Sequence, residues 1–347
     1  MARYGIDFIR KRATIILVKR GMKEKDAAIF VDSMLSADMC SVSTHGIRML
    51  PQYIQKLDQG GFSFEEPVVI KQLPAFTILD AKNNIGAVAA MSAVAIAQRQ
   101  AETEGVHTVF CRNANTFGPG FYYVEKLAEK GLIGLICCNA PAAMPAYNGM
   151  EVLLGTNPIA FALPTKSHGN IILDIATSVV SKSRFGTAKA KGEQLEPGWA
   201  LDKDGNPTTD PDEGIQGFVL PMAGFKGYGI AMVIDIMSGL ISGAAYLDRV
   251  NKFYSKDGAC MNVGYVVAAF NPALIFDGDF WGEADNYVER LRSSKCLPGE
   301  QIVIPGDRRR ASREKAMAMG VELTEDVVEK LEQLFGEKLE LSRGVQP

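Results

Sequence analysis

Histidine is the side chain that most often moves protons near neutral pH, and this 347-residue chain has three histidines. His107 opens a predicted strand and is interpreted as a strand-edge residue, and His168 lies in a predicted hairpin turn. His45 ends a predicted helix, and Gly46 after it permits a sharp turn or a close backbone approach. Position alone does not separate a catalytic from a structural role for His45.

Two glycine-rich segments are compatible with anion binding. Gly155-Thr156-Asn157-Pro158 precedes a predicted strand, and Gly224-Phe225-Lys226-Gly227-Tyr228-Gly229 opens a predicted helix, where backbone N–H groups and one lysine would face a phosphate. For either segment taken singly, ordinary turn and helix-packing glycines are the favoured explanation. The Gly-x-Gly-x-x-Gly, Walker A, Gly-x-Ser-x-Gly and His-Glu-x-x-His motifs do not occur, and we predict no metal site.

Composition indicates an ordinary globular chain, with 47% hydrophobic residues, 22% charged residues and a net charge of −3. These values exclude disordered, collagen-like and small disulfide-stapled chains. No basic block of five or more residues occurs, and the run Arg308-Arg309-Arg310 is too short to follow a nucleic-acid backbone, so no nucleic-acid partner is expected. No apolar run is long enough to cross a membrane, and no signal-peptide core follows Met1.

The six cysteines are scattered without Cys-x-x-Cys spacing. Cys137 and Cys138 adjoin in a predicted strand, where alternation points them to opposite faces. Buried thiols are favoured over a disulfide or a zinc site, and the sequence predicts a reducing, cytoplasmic location.

The order of elements indicates an α+β fold with a mixed α/β sheet. Two helices separated at Gly21 are predicted within 6–40, and further helices over 51–57, 87–104, 122–130, 227–243, 285–293 and 324–338. Strands are predicted over 106–111, 132–138, 159–163, 171–175 and 263–270. Residues 301–307 are predicted as a strand running into a loop, and residues 186–217 as a long surface excursion. We expect a discontinuous helical domain of residues 1–75 plus 286–347, and a sheet domain of residues 76–285.

Together these segments resemble the malate/L-lactate dehydrogenase family that lacks a Rossmann domain, whose relatives include ureidoglycolate and sulfolactate dehydrogenases, diketogulonate reductase and piperideine-carboxylate reductase. The resemblance runs in order through nearly the whole chain. The Gly-Thr-Asn-Pro and Gly-x-Lys-Gly-Tyr-Gly segments are its most specific motifs. The matching stretches are Ala37-Asp38, Thr44-His45-Gly46, Pro51-Gln52-Tyr53, Arg112-Asn113-Ala114-Asn115, Leu154 to Pro164, Asp174-Ile-Ala-Thr177, Pro197-Gly-Trp199, Pro207 to Pro211, Pro221 to Gly229 and Pro305-Gly-Asp307.

The resemblance implies an NAD- or NADP-dependent oxidoreductase of 2-oxo and 2-hydroxy acids, with a non-Rossmann sheet domain that binds the coenzyme. It implies a homodimer whose active site lies near the subunit interface, and His45 as the proton donor. The residues implied to contact the coenzyme are Ile172, Leu173, Asp174, Ile175, Ala176, Phe225, Lys226, Gly306, Asp307 and Arg308.

The substrate-side residues depart from the family pattern at three places. Thr116 replaces a family histidine that belongs to the active site, and threonine forms hydrogen bonds but transfers no proton at neutral pH. Met49 replaces an arginine suited to a substrate carboxylate, with Arg48 beside it, and Cys40-Ser41 replaces an Arg-Gly pair. We therefore list His45, Thr116 and Arg48 as catalytic candidates.

These departures leave three interpretations open. The first and favoured one is an active oxidoreductase with an altered substrate that is bulkier or less charged. The second is a cyclic-imine reductase of the same fold. The third is a catalytically impaired homologue that keeps its coenzyme affinity.

Overall fold

The computed structural model describes residues 2–253 and 259–342. Its strands are β1 (Arg3–Tyr4), β2 (Val68–Gln72), β3 (Phe76–Asp80), β4 (Val106–Ala114), β5 (Ile133–Cys138), β6 (Met144–Pro145), β7 (Val152–Leu154), β8 (Ile159–Leu163), β9 (Ile171–Ile175), β10 (Ala200–Leu201), β11 (Pro207–Thr208), β12 (Phe218–Val219), β13 (Val263–Phe270) and β14 (Val321–Glu322). Its helices are α1 (Ile6–Val18), α2 (Glu24–Met39), α3 (Leu50–Asp58), α4 (Gly86–Glu104), α5 (Gly120–Ala128), α6 (Ser183–Lys191), α7 (Pro211–Gln216), α8 (Phe225–Asp235), α9 (Pro272–Ile275), α10 (Phe280–Arg292), α11 (Asp307–Met319) and α12 (Glu325–Phe335).

A seven-stranded mixed sheet, in the order β2-β3-β4-β13-β5-β8-β9, lies at the centre of the fold. β3 and β4 are parallel and joined by α4, and the other neighbouring pairs are antiparallel. β13 lies between β4 and β5, and it is buried along almost its whole length because helices cover both faces of a central strand. The mixed α/β sheet predicted from the sequence is thereby confirmed.

The helices over the sheet pack closely because of their small residues. α4 buries Ala89, Ala90, Ala93 and Ala97 completely, and side chains of this size let a helix backbone approach the strands. These alanines share one apolar cluster with Val109 of β4 and Val267 of β13. α4 and α5 thus hold fixed the strand ends that carry the cavity described below.

The N-terminal and C-terminal segments form a second apolar cluster. Ile9 of α1, Leu35 of α2 and Leu50 of α3 belong to it together with Leu331 of α12. β1 pairs with β14, aligning Arg3 with Glu322, so the two ends of the chain are also joined through their backbones.

The structure corrects the prediction at residues 301–307. No strand forms there, and helix α11 begins at Asp307. α11 buries only Ala316 fully, so its sequence has no apolar stripe to indicate a helix.

Three further predictions need smaller corrections. His107 is fully buried in β4 rather than at a sheet edge, and its ring nitrogens bond the Thr77 hydroxyl at 2.9 Å and the Pro74 carbonyl at 3.0 Å. The excursion over 186–217 contains helices α6 and α7 and a small sheet, β11-β10-β12. α8 begins at Phe225 and continues as a π-helical turn over Ile236–Ile241. Within the described ranges, no helix has the length and apolarity to cross a membrane.

Candidate active site

A cavity of about 280 Å³ opens at one edge of the central sheet. β4, β5 and β9 all end at this edge, and β13 begins there. The cavity is lined by the residues that follow these strands, including Thr116 after β4, Asn139 and Ala140 after β5, and Ala176 after β9. Loops at the carboxyl ends of neighbouring strands meet at one place, which is where α/β sheets bind ligands.

His45 reaches this cavity from a tight turn after α2. The turn consists of two 3₁₀ segments, Ser43–His45 and Ile47–Met49, on either side of Gly46. The Asp38 carboxylate fixes the turn by accepting a hydrogen bond from the Ile47 N–H at 2.7 Å. A Cβ on residue 46 would lie 1.8 Å from Asp38 Oδ1, so only glycine allows this approach. Asp38 therefore determines where the His45 backbone lies.

The two titratable groups at this turn have shifted pKa values. Burial raises the pKa of Asp38 to about 7, although the Ile47 N–H and the Arg48 charge act in the opposite direction. The surrounding protein lowers the pKa of His45 below 6.5 by desolvation, although the ring remains open to solvent in the cavity. His45 is therefore mostly neutral at pH 7.

Thr116 is held in the cavity wall by its neighbour Asn115, which is fully buried. The Asn115 side-chain Nδ2 donates to Asn83 Oδ1 at 2.8 Å, and the Asn115 main-chain carbonyl accepts from the Tyr265 hydroxyl. A Cβ added to Gly86 would lie 2.1 Å from the Thr116 carbonyl oxygen, so this close approach requires glycine. The glycine at the start of α4 thus allows the Thr116 backbone to pack against this helix.

Asp174 and Arg309 form the charged part of the cavity wall. Asp174 Oδ2 accepts a hydrogen bond from the Phe121 N–H at 2.9 Å, and burial raises the pKa of this carboxyl. The Arg309 guanidinium lies 4.4 Å from the centroid of the Phe121 ring and donates to the Ile172 carbonyl at 3.1 Å. Arg309 Nε is buried without a hydrogen-bond partner. A buried, unpaired guanidinium nitrogen suits an anionic ligand.

The three segments implied to contact coenzyme converge on β9. Ile172 N donates to the Pro305 carbonyl at 2.8 Å, and a Cβ on Gly306 would lie 3.1 Å from the Asn170 carbonyl. At the other end of the strand, Met222 N donates to the Thr177 carbonyl at 2.9 Å, which places the start of α8 beside Ala176.

A second cavity of about 310 Å³ adjoins the first and shares His45, Thr44, Thr116 and Ser181 with it. Arg48 and Met49 line this second cavity, whose remaining wall comes from α2, α3 and α6. His45 therefore stands where the two spaces meet. We call the first space the sheet-edge cavity and the second the substrate-side cavity.

The implied site residues fall into distinct groups. His45, Thr116, Asp174, Ile175 and Ala176 line the sheet-edge cavity, and Arg48 lines the substrate-side cavity. Asp307 is engaged by Arg292 at 3.0 Å and by the Ile304 N–H at 3.0 Å. The implied coenzyme contacts that line neither cavity are Ile172, Leu173, Phe225, Lys226, Gly306, Asp307 and Arg308.

Sequence reasoning missed two residues at the site. Asp38 lies in a stretch that matches the family, but its residue type and spacing carry no signal that it anchors the turn. Arg309 lines the sheet-edge cavity, whereas its neighbour Arg308 is exposed. In the described residues, no three His, Cys, Asp or Glu side chains are grouped as metal ligands.

The fold is that of known dehydrogenases. The structure matches sulfolactate dehydrogenase from Methanocaldococcus jannaschii with a TM-score of 0.90 at 31% identity, covering 97% of this chain and 98% of that one. It matches malate dehydrogenase from Entamoeba histolytica with a TM-score of 0.91 at 27% identity, covering 97% and 98%. It matches Δ1-piperideine-2-carboxylate reductase from Pseudomonas syringae with a TM-score of 0.88 at 26% identity, covering 96% and 100%.

The chain belongs to the malate/L-lactate dehydrogenase family, whose model matches residues 6–332. Among curated relatives, L-sulfolactate dehydrogenase of M. jannaschii is 32% identical over 324 residues, which are 93% of each protein. Malate dehydrogenase of Pyrococcus horikoshii is 31% identical over 329 residues, 92% of this chain and 91% of that one. The chain is accordingly a dehydrogenase acting on CH–OH groups with NAD or NADP.

Proposed function

We propose that this enzyme interconverts a 2-oxo acid and a 2-hydroxy acid, with His45 as the proton donor in reduction and the proton acceptor in oxidation. The position of His45 at the junction of the two cavities carries the proposal. A coenzyme in one cavity and a substrate in the other would meet beside this ring.

The residues of the sheet-edge cavity fit a nicotinamide dinucleotide. The unpaired Nε of Arg309 suits a phosphate, and the Asp174 carboxylate suits a sugar hydroxyl. Ile175 and Ala176 at the end of β9 also line this cavity, so their main chain would contact the coenzyme. When bound, the nicotinamide supplies or accepts the hydride.

On the substrate side, each polar residue has a separate role. The Arg48 guanidinium would hold the substrate carboxylate, and the Thr116 hydroxyl would donate a hydrogen bond to the carbonyl oxygen. His45 would give its proton to that oxygen as the hydride reaches the carbonyl carbon. Phe117 and Pro141 line both cavities and would exclude water from the reacting atoms.

We propose a helical domain of residues 1–75 plus 286–347 and a non-Rossmann coenzyme-binding domain of residues 76–285. Strand β2 lies in the first range but extends the sheet of the coenzyme-binding domain by pairing with β3. The apolar cluster that joins α1, α2 and α3 to α12 supports a helical unit built from both chain ends. The antiparallel β13 at the centre of the sheet supports a fold distinct from the all-parallel Rossmann sheet. Limited proteolysis that cuts first between the proposed domains would agree with this division.

We propose that the enzyme is a homodimer through the exposed face of α8 and the π-helical turn after it. Phe225, Val233, Leu240 and Ile241 on this face are each more than half exposed. A contiguous apolar face of this kind marks a protein interface. It would also explain why Phe225 and Lys226 line neither cavity of their own chain, since they would face the partner. Light scattering should give twice the chain mass, and a monomer would contradict the proposal.

A cytoplasmic location remains a prediction, supported by six unpaired cysteines. Cell fractionation would test it, and recovery of the protein outside the cytoplasm would contradict it.

The proposed reaction is tested by mixing the enzyme with NADH or NADPH and a panel of 2-oxo acids, and following coenzyme absorbance. We expect coenzyme oxidation that requires the acid. A cyclic imine carboxylate in the same panel tests the second interpretation, and its faster turnover would favour an imine reductase. Coenzyme binding without turnover of any panel member would instead indicate an impaired homologue and contradict the proposal.

A further inference from the structure

The substrate-side cavity has an apolar floor made of core residues. Phe30, Met34 and Tyr53 are at most 6% exposed and belong to the apolar cluster of the N-terminal helices. Met261, 3% exposed, belongs to the cluster under the sheet. The cavity therefore lies between the two cores, and its floor cannot solvate a charge.

Met49 forms the part of the wall nearest the catalytic turn. It follows Arg48 in the 3₁₀ segment after Gly46 and packs, partly buried, against the N-terminal core. Because Arg48 and Met49 are adjacent, their side chains leave the turn in different directions. The guanidinium and the thioether thus mark a charged and an apolar part of the same cavity.

Several hydroxyl groups that line the cavity already have partners within the protein. Ser33 donates to the Phe30 carbonyl at 2.7 Å, and Ser181 and Ser183 bond each other at 2.8 Å. Thr187 donates to the Ser183 carbonyl at 3.3 Å. Of the cavity-lining residues that the structure describes, Arg48 is the one with a positive charge. The cavity therefore matches one carboxylate and one apolar group.

We propose that the substrates are 2-oxo and 2-hydroxy monocarboxylic acids with a large apolar side chain. Arg48 holds the single carboxylate, and the side chain occupies the space beside Met49, Met34 and Tyr53. A second anionic group, as in a dicarboxylic acid or a sulfonated acid, would enter an apolar wall without a partner and bind poorly. This inference rests on the proposed reaction. In that reaction NAD(P)H and a proton convert the C2 carbonyl to a C2 hydroxyl, leaving NAD(P)⁺.

The first experiment compares kcat/KM for 4-methyl-2-oxopentanoate, pyruvate and oxaloacetate with the same coenzyme. We expect 4-methyl-2-oxopentanoate to exceed oxaloacetate at least tenfold and pyruvate to fall between them. Equal or higher activity with oxaloacetate would overturn the inference and leave the proposed reaction standing.

A binding measurement separates the inference from the reaction. Thermal unfolding is followed with 2-hydroxy-4-methylpentanoate or malate at one concentration, with and without oxidised coenzyme. The apolar acid should raise Tm more than malate, since tighter binding to the native state stabilises it. A larger shift with malate would overturn the inference even if no acid were turned over.

Met49→Arg tests the wall directly. It should move the kcat/KM ratio of oxaloacetate to 4-methyl-2-oxopentanoate upward at least tenfold, because a second cation would then face the second carboxylate. Met317→Arg is the matched control, since Met317 is 72% exposed on α11 and lines neither cavity. If the arginine variant does not fold, Met49→Gln replaces it, since glutamine is of similar length but polar and uncharged. It should lower the kcat/KM ratio of 4-methyl-2-oxopentanoate to oxaloacetate at least threefold. An unchanged ratio in a folded Met49 variant would contradict the assignment.

Discussion

At the scale of single residues, the setting of His45 makes the direction of catalysis depend on pH. Desolvation lowers the pKa of this imidazole below 6.5, so the neutral form predominates at pH 7. Oxidation needs a neutral acceptor, so its kcat/KM should be level above pH 6.5 and fall at lower pH. Reduction needs a protonated donor, so its kcat/KM should rise as the pH falls through the same range. Initial rates in both directions between pH 5 and 9 would check this.

Asp38 supplies the control for that profile, because its pKa of about 7 lies in the same window. Asp38→Asn keeps an oxygen that accepts from the Ile47 N–H but removes the titration. The inflection below pH 6.5 should persist in this variant. Its disappearance would assign the profile to Asp38 rather than to His45.

From the sequence, the residues that line the site could be predicted better than the residues that position them. His45 and Asp174 lie in separate stretches that match the family, and Thr116 directly follows a third. Arg309 could not be separated from Arg308 and Arg310, because adjacent helical residues differ by about 100° in direction and no spacing rule selects one arginine of three. Asp38 was missed as a positioning residue because a single acid in a helix has no pattern that distinguishes it from a solvated one.

At the scale of elements, the turn that carries His45 depends on the glycine after it. Gly46→Ala would place a methyl group against the Asp38 carboxylate and displace the turn. We expect kcat to fall at least tenfold and the free energy of unfolding to fall by roughly 1–3 kcal/mol. Enzyme assays and denaturant titration measure the two effects.

Gly186→Ala is the matched control for stability. Gly186 lies in α6, and no atom approaches within 4 Å of an added Cβ. Alanine should leave the free energy of unfolding unchanged or raise it by about 0.5–1 kcal/mol. An equal loss of unfolding free energy in the two variants would mean that the contact with Asp38 does not cause the destabilisation.

Elements with a clear apolar pattern were predictable, and polar ones were not. The strand-helix-strand order of β4, α5 and β5 was predicted correctly, because their buried positions follow the strand and helix periods. β2 was missed because all its residues are exposed, and α11 because its first turn is charged and only Ala316 is buried. Such elements are fixed by tertiary contacts rather than by local sequence.

At the scale of the whole molecule, the site depends on chain segments far apart in sequence. β13 inserts between β4 and β5, although some 125 residues separate it from β5, and Met261 before it lines both cavities. α11 brings Arg309 to β9 from near the other end of the chain. No local pattern specifies a strand inserted from such a distance, so only the family resemblance anticipated this assembly.

We propose that hydride and proton meet at His45, where the two cavities join. The direct test uses coenzyme deuterated at both C4 positions, a 2-oxo acid, and mass spectrometry of the product, for the wild type and for His45→Gln. We expect one deuterium at C2 of the hydroxy acid, and a rate at least ~100-fold lower in His45→Gln with coenzyme affinity within threefold of the wild type. A wild-type product without deuterium, or an unchanged rate in the folded variant, would contradict this proposal.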